Sequence, residues 1–504
     1  MLDFRKMKNF VVLGGGTAGW FAALELRRMF GPAVSVTVIE SPRVGVIGVG
    51  EGGILNFPEA LIGRYGIDLD AFLEGTGAVF KLGFEYVGWN NGRDDDVFYH
   101  LFHRLPAEGE GRMIDGVAPY WSMLAAHGIG IHHAVYSLPF VLANASQSEV
   151  RKALEAAGGL MPWSLHFDAH RVAAWLKLAA MARGIETRVG NVVELLRDAE
   201  SGHVRALRFE GEELPMPCDF LIDASGFARI ALQKTMGSPL RSFTDYMSHD
   251  RAIPFYIPHP RPNPHLVTRS LAMSAGWIWQ IPVRERVGCG YVYSSAYLSE
   301  DEALAEIESR LGQKIEPMPT LRFHAAHFPE VWVGNVMAVG LASGFIEPLE
   351  ATSIGQMLGQ LTMFGETVKQ SCGVVPQSTI STFNHRNRLD WDGIRDFLCL
   401  HYDVPRRDTP FWRDVTSRAV PSTYSDLKKA WQLRTPRPVD FNAYRAGHVL
   451  HFDATSWFAV GQGVGVVPPA AAQADLDMLP REAVRSAEAF LHSVRIRNAS
   501  ARQS

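Results

Sequence analysis

The chain has 504 residues, 47% of them apolar and 20% charged, with a formal net charge of −4. That length supplies core for two or three domains, and the near-neutral balance gives no electrostatic reason to bind nucleic acid or an anionic membrane. Four scattered cysteines without a C-x-x-C spacing argue against a disulfide framework or a zinc site and fit a reducing cytoplasm. No stretch approaches the ~20 apolar residues that span a bilayer. The apolar run at 10–13, behind the N-terminal charges, is too short for the core of a signal peptide.

The run 10–13, FVVL, reads as a buried parallel strand. It enters a turn in which Gly14, Gly16 and Gly19 follow the G-x-G-x-x-G pattern. Residues 18–30 read as a mostly apolar helix closed by Gly31-Pro32, and 34–39 as a second strand ending on Glu40. Strand, glycine turn, helix, strand and acid form the β-α-β unit that binds a dinucleotide. Gly14 permits the tight turn, Gly16 the approach of backbone to a pyrophosphate, and Gly19 the packing of helix on strand. The helix start at Thr17 and Ala18 offers free N–H groups to phosphate, and Glu40 stands where a carboxylate accepts from ribose hydroxyls. The alternative is a glycine-rich loop that only packs helix on strand.

A second glycine-rich segment follows, with Gly45, Gly48, Gly50, Gly52 and Gly53, either backbone lying against a flat ligand or a flexible loop. Residues 55–73 suggest an amphipathic helix with breaks. In the apolar and aromatic run 79–89, Lys81 is open to two readings. Burial would lower its pKa and free a nucleophilic amine; an exposed lysine on an edge strand would do nothing. In 94–104, His100 and Phe102 fall on one face of a strand and suggest an aromatic pocket wall, since the partner ligands a metal would need are missing. Asp168 reads as an N-cap. Residues 185–196 read as one strand flanking an adenine, with Val193 on it, and 218–227 as a buried strand ending near Asp223. Alternating strands and helices to this point argue for an α/β sheet.

A β-rich texture follows, in which Trp277 and Trp279 share one strand face. The strand at 335–339 runs into Gly340 and then a helix from about Thr352, a second candidate anion site. Glu347 and Glu350 stand just before it, as ordinary acids near a helix start. Beyond about residue 381 the chain becomes helical and rich in Trp and His, and its last dozen residues look frayed.

Several of these stretches resemble one family, the flavin-dependent halogenases of the tryptophan-halogenase type, over nearly the whole chain. GGGTAGW (14–20), FKLG around Lys81, FYHLF (98–102), LIDASGF (221–227), GWIWQIP (276–282), GFIEPLEATSI (344–354) and LHYDVPRRDTPFW (400–412) match in order. The W-x-W-x-I-P stretch with the lysine is the most specific combination, because plain flavin hydroxylases lack it.

The resemblance implies an α/β, Rossmann-like FAD-binding domain of the GR2 type over 8–380, with parts of 90–165 joining a mainly helical substrate module at 381–495, and a tail at 496–504. It implies that reduced FAD, oxygen and halide (chloride or bromide) give hypohalous acid, which Lys81 holds by hydrogen bonding or as a haloamine. Glu350 would orient that species or remove the ring proton, and the N–H groups of Thr352 and Ser353 would bind halide. His100, Phe102 and Trp457 would wall the substrate, and the tryptophan pair would separate flavin from substrate. Cofactor contacts are expected at Gly14, Gly16, Thr17, Ala18, Gly19, Glu40, Gly50, Val193, Gly340 and Ile354. With one dinucleotide fingerprint, reduced flavin is expected from a separate flavin reductase; a homodimer is a further expectation. Gly52 and Gly53 replace the Ala-Thr usual in the family and are expected to loosen the segment linking flavin and halide sites. The region 440–465, which holds the amino-acid end of free tryptophan in the family, does not align, so indole or another indolic aromatic is the expected substrate. Competing readings are a two-component flavin-dependent aromatic hydroxylase and a flavin-binding protein without halogenase chemistry. Lys81 together with Glu350 argues against the last.

Overall fold

The computed structural model describes residues 1–504 except 46, 47, 49, 446–450 and 502–504. The N-terminal apolar run becomes the strand Asn9–Leu13, central in a six-stranded sheet. Its neighbours are Ser35–Glu40 on one side and Phe220–Asp223 on the other, both parallel, with Phe10 facing Val36 and Phe220 in register. Glu186–Val189 and Val336–Ala338 extend the parallel set, and Trp332–Val333 closes one edge antiparallel. Phe10, Val11 and Val12 have no exposed surface. A strand covered on both faces needs a continuous apolar run rather than an alternating one, and FVVL supplies it. The helix Thr17–Phe30 makes the crossover that parallel pairing requires.

A second, seven-stranded sheet is mostly antiparallel, in the order Leu321–Arg322, Arg251–Ile257, Val287–Tyr293, Gly276–Pro282, Thr268–Ala272, Gly83–Val87, Val97–Leu101. A three-stranded sheet sits beside it, with Ser164–Phe167 between Glu51–Gly52 and Val79–Lys81. The chain therefore leaves the small sheet at Lys81 and enters the large one at Gly83. That corner requires glycine: Gly83 has φ +147°, and a Cβ there would lie 2.5 Å from the His100 carbonyl oxygen. From Thr352–Gln370 and Gln377–His401 onward the chain is helical, ending in Arg481–Ala501. Among the described residues no helix is long and apolar enough to cross a membrane.

The structure departs from the sequence reading in three places. Residues 185–196 are two strands: Glu186–Val189 joins the parallel sheet, while Val192–Arg197 pairs antiparallel with Val204–Phe209 in a separate sheet. Gly190 and Asn191 make the break, and Val193 is exposed on the second strand. The division expected at 381 falls inside the helix Gln377–His401, so no linker marks it. The last helix continues through Ala501, past the start of the expected tail.

Candidate active site

The glycine turn leaves one open place. A Cβ on Gly14, whose φ is +122°, would lie 2.3 Å from the Ala224 carbonyl oxygen, and one on Gly19 would lie 1.8 Å from that of Gly14. These two glycines are dictated by packing. A Cβ on Gly16 would meet nothing within 4 Å, and the helix that starts at Thr17 has no side-chain cap. Open space before uncapped N–H groups at Thr17, Ala18 and Gly19 suits a phosphate. Glu40, on the neighbouring strand end, lies against Gly15, where a Cβ would be 2.5 Å from its Cγ, and its carboxylate accepts from Lys177. Gly340 (φ +60°) closes on the same helix start, where a Cβ on it would lie 2.8 Å from the Ala18 Cβ. Gly50 lies against the W-x-W-x-I-P strand, since its Cβ would be 3.5 Å from Ile281. Ile354 is half-buried in the first turn of Thr352–Gln370. Val193 stands apart on its own sheet, beyond Gly190, whose N–H donates to the Glu40 carbonyl at 2.9 Å. The open cradle, uncapped helix and strand-end carboxylate fit the pyrophosphate and ribose of FAD.

A second centre forms where the three-stranded sheet meets the seven-stranded one. Lys81 has no exposed surface, and its Nζ has no hydrogen-bond partner among the described residues. The amine sits 3.7 Å from the centroid of Phe84 and 5.6 Å from that of Phe102. Burial lowers its ammonium from the usual 10.5 to about 7, against an opposing pull from Glu350. Two segments make room for it. A Cβ on Gly52 would lie 2.8 Å from Nζ and 3.3 Å from His166, so a glycine there leaves the amine its space. His166 is itself fully buried, held neutral by burial and by Lys81, with Nε2 on Thr268 at 2.9 Å. Gly52 pairs with His166, and the Gly53 N–H donates to the Leu165 carbonyl at 2.9 Å.

Glu350 belongs to the same chamber. Phe84, under the lysine, stacks on His100 with centroids 5.9 Å apart, and His100 Nδ1 lies 2.9 Å from both Glu350 oxygens. The Tyr86 hydroxyl donates to Oε1, and His401 Nε2 lies 3.2 Å from it while Nδ1 donates to the Phe397 carbonyl at 2.8 Å. Burial pushes the Glu350 carboxyl up, but His100 and His401 outweigh it and hold the group well below the usual carboxylate range. The backbone is strained to aim it: Glu350 and Ala351 have φ +61° and +53°, left-handed values that cost on the order of 1–3 kcal/mol each without glycine. The same kink starts the uncapped helix at Thr352 and Ser353. An ordinary first-turn acid needs no such strain, and Glu347 is differently placed, bonded to His249 and Tyr402 at 2.7 Å each.

His100 and Phe102 are both buried, flanking Phe84. Trp457 is buried among Phe397, Tyr424, Trp431, Phe441 and Tyr444, a packing position whose edge reaches a small cavity. Sequence reasoning missed Tyr86, His166 and His401. Tyr86 lies in the strand that leaves Lys81 and His401 in the LHYDVP stretch, but no spacing announced that either would meet Glu350. Among the described residues no group of three or more His, Cys, Asp or Glu is placed to hold a metal.

A Rossmann-like sheet with a dinucleotide cradle, joined to a buried cluster that holds the Lys81 amine and the Glu350 carboxylate, is the arrangement of a dinucleotide-binding protein with a second, separate centre. The match is more specific than that. Residues 9–479 fit the family model described as tryptophan halogenase, and the chain belongs to that family of flavin-dependent halogenases. It is 38% identical over 493 residues, 97% of this chain and 96% of the other, to an uncharacterized protein, y4xG, of Sinorhizobium fredii. It is 29% identical over 496 residues, 92% and 91% of the two chains, to tryptophan 7-halogenase RebH of Lentzea aerocolonigenes. The crystal structure of a tryptophan 6-halogenase, SttH, from Streptomyces toxytricini superposes with a TM-score of 0.83 at 26% identity, covering 97% of each chain.

Proposed function

We propose that this chain is an FAD-dependent halogenase that places chlorine or bromine on an indolic aromatic, with Lys81 and Glu350 as its catalytic residues. Reduced flavin, delivered by a separate flavin reductase, would supply hypohalous acid from oxygen and halide. The observation that carries the reading is the Lys81 amine: fully buried, without a hydrogen-bond partner among the described residues, and beside an ionised Glu350.

The residues divide the work as follows. Gly14, Gly16, Gly19 and Glu40, with the N–H groups of Thr17 and Ala18, hold the dinucleotide; Gly50, Gly340 and Ile354 border it. The helix start at Thr352 and Ser353 attracts the halide through its unpaired N–H groups. The neutral Lys81 amine has a free lone pair and free N–H bonds, so it hydrogen-bonds the oxidant or takes its halogen, with water leaving. Phe84 and Phe102 keep water from that amine, which prolongs the life of the oxidant. His100 and Phe102 wall the ring that is halogenated. Glu350 stays ionised under His100, Tyr86 and His401 and accepts the proton that the ring loses.

The test is direct. Purified protein with FAD, a flavin reductase, NADH, bromide or chloride and indole should yield a haloindole by mass spectrometry. Hydroxylated product alone would establish the hydroxylase reading instead.

A further inference from the structure

The left-handed pair Glu350 and Ala351 is held by more than the contacts of Glu350 itself. Strain of this kind persists only where the surroundings over-determine the backbone, and Glu347, three residues earlier, supplies a second hold. Its side chain is fully buried and meets neither Lys81 nor the glycine cradle. The Tyr402 hydroxyl donates to Oε1 at 2.7 Å, and His249 Nδ1 lies 2.7 Å from Oε2. The chain between the two acids has little slack. Pro348 fixes its own φ, at −77°, and the Ala351 N–H closes the turn on the Pro348 carbonyl at 3.2 Å.

One helix end grips both acids. His401, the last residue of Gln377–His401, meets Glu350, and Tyr402, the next residue, meets Glu347. That end is itself fixed: Trp89 Nε1 donates to the His401 carbonyl at 2.5 Å, and His401 Nδ1 donates to the Phe397 carbonyl at 2.8 Å. His249, two residues before the strand Arg251–Ile257, ties Glu347 to the seven-stranded sheet as well. A buried carboxyl group stripped of such partners is costly, so the bonds at Glu347 resist any rotation of the turn. The turn is thus locked at 347 and at 350, from elements far apart in sequence.

We infer that Glu347 is a positioning residue: with Tyr402 and His249 it holds the left-handed turn that keeps Glu350 on His100 and His401 and sets the helix start at Thr352 and Ser353. The inference rests on the halogenase reading for what Glu350 and that helix start do. The titratable groups that face Glu350 are Lys81, Tyr86, His100 and His401. Burial raises the Glu350 carboxyl, and the two histidines outweigh it. Once the turn relaxes, the histidines are lost while burial remains, so the carboxyl titrates above the ordinary carboxylate range. The N–H groups at 352 and 353 lose their aim in the same movement, which weakens their hold on an anion.

Tyr402→Phe removes one hydroxyl, keeps the ring and leaves Glu350 untouched. Difference infrared spectra of the full-length protein between pH 7 and pH 5, without flavin or halide, read the protonation of Glu350 directly. Wild type should show no protonated-carboxyl band from Glu350 at pH 5. Tyr402→Phe should show one, and Tyr402→Phe combined with Glu350→Gln should lose it. In turnover with FAD, a flavin reductase, NADH and indole, Tyr402→Phe should raise the KM for bromide at least ~10-fold, about the worth of one hydrogen bond. That rise should exceed the fall in maximal rate, and an acid limb should enter the pH profile near pH 5. His249→Leu should do the same, and His249→Gln, which still offers an N–H to Glu347, should recover most of the loss. Tyr402→Phe and His249→Leu that lower thermal stability but leave the carboxyl band and the bromide KM as in wild type would overturn the inference. If Tyr402→Phe fails to fold, the two His249 variants decide alone. A wild type that makes no halogenated product refutes the reaction, and the infrared comparison still decides the role of Glu347; a halogenating wild type whose variants show neither change refutes only that role.

Discussion

Replacing Lys81 by Met tests the physical basis of the proposed chemistry. The ammonium falls from 10.5 to about 7 because burial strips it of water, and at about 1.4 kcal/mol per tenfold change in acidity that fall corresponds to about 5 kcal/mol. The unfolded chain keeps this proton between about 7 and 10.5 while the folded chain has lost it, so wild-type stability rises with pH across that window. Methionine fills similar volume without a charge. Lys81→Met should therefore be more stable than the wild type by about 5 kcal/mol at pH 6, with the gap narrowing to about 2 kcal/mol at pH 9. Urea denaturation of both proteins at several pH values gives the comparison. Halogenation should be lost while reduced flavin is still oxidised, because at pH 7 the folded site keeps about 10³-fold more free amine than an exposed lysine would. A stability gap that is absent, or that widens as the pH rises, would refute the buried, partner-free amine on which the reading depends.

Other outcomes follow from the same geometry. Wild-type halogenation should rise with pH through about 7 as Lys81 loses its proton, with no separate loss near pH 5, because Glu350 is held ionised well below that; an acid limb near pH 5 would contradict the assignment. Glu350→Gln should lower halogenation by roughly 10²–10⁴-fold, the usual worth of a positioned base, with flavin oxidation unchanged, as followed by oxygen uptake and product mass. Gly52→Ala places a methyl 2.8 Å from the Lys81 amine; the yield of halogenated product per NADH should fall at least ~10-fold, and an unchanged yield would show that the amine has another place to go. In the glycine turn, Gly16→Val should fold normally yet lose FAD, read by flavin fluorescence, because its side chain enters open space. Gly19→Ala should destabilise the fold itself, since its methyl meets the Gly14 carbonyl.

Local pattern made the dinucleotide half of this protein legible. A continuous apolar strand, three glycines at fixed spacing and a terminal acid report backbone needs that depend on neighbours in sequence, and each of Gly14, Gly16 and Gly19 has the environment its spacing implied. The strand at 185–196 failed for the converse reason: an apolar run does not say which sheet it joins, and the break at Gly190 and Asn191 sends its two halves to different ones. Trp457 illustrates another limit, because an aromatic in a pattern-poor segment packs a core or walls a pocket with the same residue type.

The chamber could not be read this way. From the residues alone Lys81 read first as an exposed edge lysine and Glu350 as an ordinary acid at a helix start; resemblance singled them out, but not their surroundings. Tertiary structure supplied those: it set Phe84 and Phe102 against the Lys81 amine and turned Tyr86, His100 and His401, 51 to 264 positions from Glu350, onto one carboxylate. The sequence by itself determined a dinucleotide site, because glycine spacing and strand polarity are properties of consecutive residues. Which amine is buried and which acid is ionised was decided by the fold, because burial and charge pairing exist only between segments it brings together.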